Sequence, residues 1–103
     1  MNNFNDRKKA FEAKFIQDAD LQFKLSAKRN KLIGEWASQV LQKENPEEYV
    51  KEVRASALEK PGDEDIIEKL MKDFASNNQE FSREELLKKI SECENKAKEE
   101  LME

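Results

Sequence analysis

Histidine is missing from this 103-residue chain. Without it there is no imidazole to act as a base near neutral pH, and none to ligate zinc. The single cysteine excludes an internal disulfide and any site built from several thiolates, and it suits a reducing compartment. Two glycines and two prolines supply too few tight corners for a sandwich or barrel, so long helices with few turns are expected. No apolar run reaches the roughly 18 residues of a membrane span. Met1-Asn2-Asn3 lacks the basic and then apolar character of a signal peptide. The expectation is a cytoplasmic chain of one domain with no direct membrane insertion. Hydrophobic residues make up 37% of it and charged residues 41%, so its apolar core must be thin.

The net charge is −4, which works against nucleic-acid binding, because that binding depends on neutralising phosphates with Lys and Arg. The charge is unevenly spread. Residues 1–18 carry four bases (Arg7, Lys8, Lys9, Lys14) against three acids (Asp6, Glu12, Asp18), and the remainder is clearly acidic.

Four helices can be read from periodicity and end signals. The clearest begins at Ser82, an N-cap with Glu85 as its capping-box partner and Phe81 and Leu86 at the staple positions. Behind it Leu86, Ile90, Cys93, Ala97 and Leu101 form one stripe over about 83–102. Asn45-Pro46-Glu47-Glu48 opens a helix over 46–59 that buries Tyr49, Val50, Val53, Ala57 and Leu58. After Pro61-Gly62, a helix over 64–76 buries Ile66, Ile67, Leu70, Met71 and Phe74, and the two short helices should pair as a hairpin. Upstream, 20–43 is one long helix with Leu21, Leu25, Leu32, Trp36 and Val40 on one face. Phe23, Ile33, Ala37 and Leu41 lie on its flank. Gly34 stands inside that helix, either where another backbone approaches closely or room is needed beside Trp36, or as a tolerated surface glycine. None of the four can bury its stripe alone, so the expected fold is all-α, a four-helix bundle over 20–103.

Residues 1–19 stand apart as an N-terminal arm, flexible or partly helical. Phe4, Phe11 and Phe15 follow spacings of seven and four, one helical face, with Ile16 beside them. Such a stripe is either a fifth core helix or a recognition helix. In the second case three rings cannot by themselves offset the entropy of ordering the arm, so it becomes a full helix only where a partner's groove adds contacts.

The run Phe4-Asn5-Asp6-Arg7-Lys8-Lys9-Ala10-Phe11-Glu12-Ala13-Lys14-Phe15, followed by Arg29-Asn30-Lys31-Leu32-Ile33-Gly34-Glu35-Trp36-Ala37, closely resembles the zeta subunit family, the F-type ATPase inhibitors of alphaproteobacteria. Looser likeness continues through Tyr49-Val50-Lys51-Glu52-Val53 and Gly62-Asp63-Glu64-Asp65. The resemblance implies a non-catalytic inhibitor, monomeric when free, that sits peripherally at the inner membrane through the ATP synthase. Its arm would fold into the catalytic interface between alpha and beta subunits, reach the gamma shaft and block ATP hydrolysis. Phe4, Asp6, Arg7, Ala10, Phe11, Glu12, Lys14 and Phe15 match the family pattern. The phenylalanines would anchor, Ala10 would allow close helix approach, and Arg7 and Lys14 would pair with partner carboxylates. The sequence departs from that pattern at Lys8, where an acid is expected, and at Asn5 and Gln17.

Two other readings stand beside this one. Lys24, Lys28, Arg29 and Lys31 are the one basic cluster outside the arm, and they form either a solvated helical face or a site for the phosphates of ATP or ADP. An adaptor for an unrelated partner is the other alternative. An enzyme finds no support, because carboxylates this abundant fall near one another on helix faces without forming a site, and no cofactor or metal set accompanies them. Cys93, on the apolar stripe, reads as a small buried hydrophobe rather than a redox handle.

Overall fold

The computed structural model describes residue 9 and residues 18–58 and 62–102. Four helices follow in order: α1 Ala19–Val40, α2 Pro46–Ser56, α3 Glu64–Ser76 and α4 Arg83–Met102, and no strand occurs among the described residues. The fold is the expected all-α four-helix bundle. Its hub is α1, which packs most extensively on α2 and α4, while the short helices α2 and α3 touch each other less than a tight hairpin would.

Local chemistry sets the helix starts. Asp18 is extended and accepts hydrogen bonds from the amides of Asp20 and Leu21, at 3.0 and 3.2 Å, which starts α1. Asn45 Oδ1 accepts from the Glu48 amide at 3.3 Å, with Pro46 at the first helical position of α2. At α4 the capping box is reciprocal. The Glu85 amide donates to Ser82 Oγ and the Ser82 amide donates to Glu85 Oε1, both at 3.1 Å.

Two helix ends share one device that the sequence reading does not contain. The Lys43 amide donates to the Ser38 carbonyl and the Gln42 amide to Gln39, closing α1 with Gln42 at φ 55°. Asn78 does the same for α3 at φ 57°, with Gln79 and Asn78 amides bonded to the Phe74 and Ala75 carbonyls. These are Schellman closures, in which glycine is the usual left-handed residue. The α1 closure is why that helix stops at Val40, short of Lys43. The Gln79 side chain then reaches across the fold to donate to the freed Val40 carbonyl at 3.0 Å.

The core gathers Ile33, Ala37 and Leu41 of α1 and its end, Tyr49 and Val53 of α2, Ile66, Ile67, Leu70 and Phe74 of α3, and Leu86, Ile90 and Cys93 of α4. Trp36, Phe74 and Phe81 meet as a ring cluster, with centroids 4.5–5.6 Å apart. The buried face of α1 is therefore rotated from the one its periodicity suggests. Leu25 of the expected face is buried, but farther along the helix Ile33, Ala37 and Leu41 are buried whereas Leu32, Trp36 and Val40 are only partly so. The cause is Gly34. A methyl at its Cα would sit 3.0 Å from the Val50 Cα and 3.1 Å from Val50 Cγ2, so α2 lies directly against the α1 backbone there. Of the two readings of this glycine, close backbone approach is the correct one.

Seating α2 on that side turns Phe23 out to solvent, 72% exposed. Leu58 is 85% exposed, because α2 ends at Ser56 before carrying it inward, and Met71 is 41% exposed. These three depart from the burial expected of their stripes. Cys93 is buried, as its place on the α4 stripe suggests, and burial pushes its thiol pKa up.

Two stability outcomes follow. Gly34→Ala should lower the melting temperature, by about 5 °C or more, because crowding at the α1–α2 seam outweighs the roughly 1 kcal/mol gain in helix propensity. A rise in thermal unfolding by circular dichroism would show that the seam opens at no cost. Gln42→Gly should stabilise by about 0.5–1 kcal/mol by relieving the left-handed residue of its side chain, measured as a shift in the urea midpoint at constant slope.

Candidate functional site

The arm residues Phe4, Asp6, Arg7, Ala10, Phe11, Glu12, Lys14 and Phe15 lie outside the described residues. What is described is the root from which they depart. The Asp18 carboxylate holds two amides of the first α1 turn, and its own backbone is extended, at φ −116° and ψ 103°. A helix formed upstream is thus offset from α1 unless Asp18 releases that cap.

The four basic candidates on α1 divide between two surroundings. Lys24 pairs with Asp20 at 3.2 Å, one turn before it, and Lys28 with Glu100 of α4 at 3.5 Å. Lys31 is exposed and has no acidic partner among the described residues. Spacings of four and three put these three lysines on the outward side of α1. Arg29 points elsewhere. Its Nη2 lies 2.8 Å from Asp63 Oδ1, and its Nε and Nη2 both donate to Asn30 Oδ1, at 3.2 and 3.1 Å. Its side chain is only 14% exposed.

Arg29 is therefore a clamp. Asp63 is the N-cap residue of α3, yet its side chain makes no cap hydrogen bond; the carboxylate is turned to Arg29 instead. The guanidinium fork can serve the carboxylate and the buried Asn30 amide together because its donors are fixed in one plane. The preceding corner depends on Gly62 at φ +74°, a conformation disfavoured for a side chain.

A second polar cluster joins α2 to α3. The Tyr49 hydroxyl donates to Asp73 Oδ2 at 2.7 Å, and Lys69 Nζ sits 3.1 Å from Asp73 and 3.4 Å from Glu52. Lys69 also lies 5.2 Å above the Tyr49 ring. Burial, reinforced by the hydrogen bond to Asp73, raises the Tyr49 pKa well above the ordinary phenol value. The Tyr49 hydroxyl therefore keeps its proton around neutral pH and serves as a hydrogen-bond donor that holds α2 to α3. Arg83 forms a fork with Glu64, closing the outer side of α3 on α4. No group of three or more metal-ligating side chains occurs among the described residues. No described helix is long and apolar enough to cross a membrane.

The surroundings are those of a scaffold whose polar contacts hold helices in place. The family model described as ATPase inhibitor subunit zeta matches residues 1–100. No curated protein sequence matches the chain.

Arg29→Ala separates the structural role of this arginine from phosphate binding. It should destabilise the bundle by about 1–3 kcal/mol, because it strands Asn30 and frees Asp63. Chemical denaturation measures this directly, and a change below roughly 0.5 kcal/mol would remove the clamp assignment.

Proposed function

The chain belongs to the ATPase inhibitor subunit zeta family, whose members are regulatory and non-catalytic, and from that membership we propose that it restrains the F-type ATP synthase through its N-terminal arm. Residues 1–19 fold as a helix into the catalytic interface between alpha and beta subunits and lie against the gamma shaft, so that rotation in the hydrolysis direction is blocked. Phe4, Phe11 and Phe15 enter apolar pockets of that interface and Ala10 lets the helix approach closely. Arg7 and Lys14 meet partner carboxylates, with Asp6 and Glu12 completing the matching face. Residues 20–103 form the handle that remains outside. The protein works from the cytoplasmic side, peripheral to the inner membrane, and is monomeric when free.

The observation that carries this reading is that the family match spans the arm together with the bundle. Packing supports it. The bundle already holds Trp36, Tyr49, Phe74 and Phe81 in or against its core, so the arm's three rings are not needed to complete it. Helix-in-groove recognition uses anchors at this spacing.

A secondary reading concerns nucleotide. Lys24, Lys28 and Lys31 share the outward side of α1, where a phosphate of ATP or ADP would compete with Asp20 and Glu100 for the first two.

The purified protein should lower ATP hydrolysis by the cognate F-type ATPase while sparing synthesis. Phe11→Ala should weaken that inhibition without lowering bundle stability by more than roughly 0.5 kcal/mol. Equal loss of inhibition and stability would place Phe11 in the core and remove the arm from the mechanism. For nucleotide, titration of ATP or ADP should shift the amide signals of Lys24, Lys28 and Lys31; unchanged spectra and unchanged Trp36 fluorescence would dispose of that secondary reading.

A further inference from the structure

The first turns of α1 stand almost clear of the bundle. Ala19, Asp20, Gln22, Phe23 and Lys24 are exposed and Leu21 is half-buried, so Leu25 is the first residue of the helix that the core encloses. From there on α1 is held firmly, with Lys28 paired to Glu100 of α4 and Arg29 to Asp63. Residues 19–24 form a stalk about 9 Å long at 1.5 Å per residue. So short and exposed a stretch gains little from tertiary burial and frays unless its end is closed. Asp18 closes it. Its Oδ1 accepts from the amides of Asp20 and Leu21, and its carbonyl accepts from the Gln22 amide at 3.0 Å. Its charge faces the positive end of the helix. The Lys24–Asp20 pair, one turn apart, adds lateral support to the same stalk.

The cap also excludes a competing structure. In a helix continuous through residue 18, the Asp20 and Leu21 amides would bond to the carbonyls of residues 16 and 17. With both amides on the Asp18 carboxylate, and Asp18 itself extended, the helix cannot propagate backwards. We propose that Asp18 is a positioning residue for inhibition: its cap keeps the stalk helical and breaks the helix at one point, which sets where the handle ends and the arm begins. The proposal rests on the arm reading above and deepens it. A helix rigidly continuous with α1 would tie the direction of the arm to the orientation of the bundle. A break at residue 18 lets the arm enter a groove while the bundle stays outside. Loss of the cap lowers the share of chains with that exit, and apparent affinity falls with the competent fraction.

The test compares three variants of the full-length chain. Asp18→Ala removes the cap, whereas Asp18→Asn and Asp18→Ser keep a capping oxygen and drop the charge. In the isolated chain, Asp18→Ala should move the carbon chemical shifts of residue 18 from extended to helical values. Against the purified ATPase head, its half-inhibitory concentration should rise about fivefold, the population equivalent of one lost cap. Asn and Ser should restore both readouts to near wild type. The stalk lies outside the core, so the bundle should stay folded in all three, which circular dichroism checks. If Asp18→Ala inhibits like the wild type while Phe11→Ala does not, the cap has no part in inhibition and the arm mechanism stands. Residue 18 shifts that stay extended in Asp18→Ala also overturn the proposal. So does a loss of inhibition in Asn and Ser as large as in Ala, which would mark a charge contact with the head instead. A wild-type chain that does not inhibit removes the arm reading, and this role with it.

Discussion

The contact between Gly34 and Val50 is the constraint on which the bundle's geometry depends. Two helices usually stand apart by the thickness of their side chains; here the backbone of one lies so close to a residue of the other that a methyl group would crowd Val50 at 3.0–3.3 Å. That approach fixes the rotation of α1, because a helix seated on its Gly34 side must present Ile33 and Ala37 to the interior. It also fixes what is left outside, since Phe23 lies beyond the seam.

With α1 oriented, the remaining helices are held by contacts between their ends as much as by the core. Arg29 reaches the first residue before α3, Gln79 covers the last carbonyl of α1, and Arg83 ties the start of α4 to the start of α3. Each uses a group that a helix terminus leaves unsatisfied or a carboxylate placed beside it. A thin apolar core needs such help, because burial per residue is low in so small a domain. The Tyr49, Asp73, Lys69 and Glu52 cluster does the same work between α2 and α3.

This arrangement suits a regulator made of a handle and an arm. Ring cluster, clamps and caps are all built from residues of the four helices and the corners between them. Under the proposed function the arm's aromatic face serves a foreign groove, where binding supplies the order that three phenylalanines alone cannot. Charge follows the same division, basic before Asp18 and acidic after it.

Helix starts were legible in the sequence because their chemistry is local. Ser82 and Glu85, or Asn45 and Glu48, meet across three residues and need no knowledge of the fold. The α4 stripe was legible for a related reason: one helix face repeats at a fixed spacing whatever it packs against. The spacing of Phe4, Phe11 and Phe15 was readable as a pattern, and the family likeness proposes a partner for it. What only the tertiary structure decided were the choices between neighbouring faces and between equally charged residues. Periodicity could not distinguish the Trp36 side of α1 from the Ile33 side, since both are apolar and the seat of α2 on Gly34 determines which turns inward. Nor could it separate Arg29, locked to Asp63, from Lys31, which has no acidic partner among the described residues, because that difference depends on residues far along the chain that folding alone brings near.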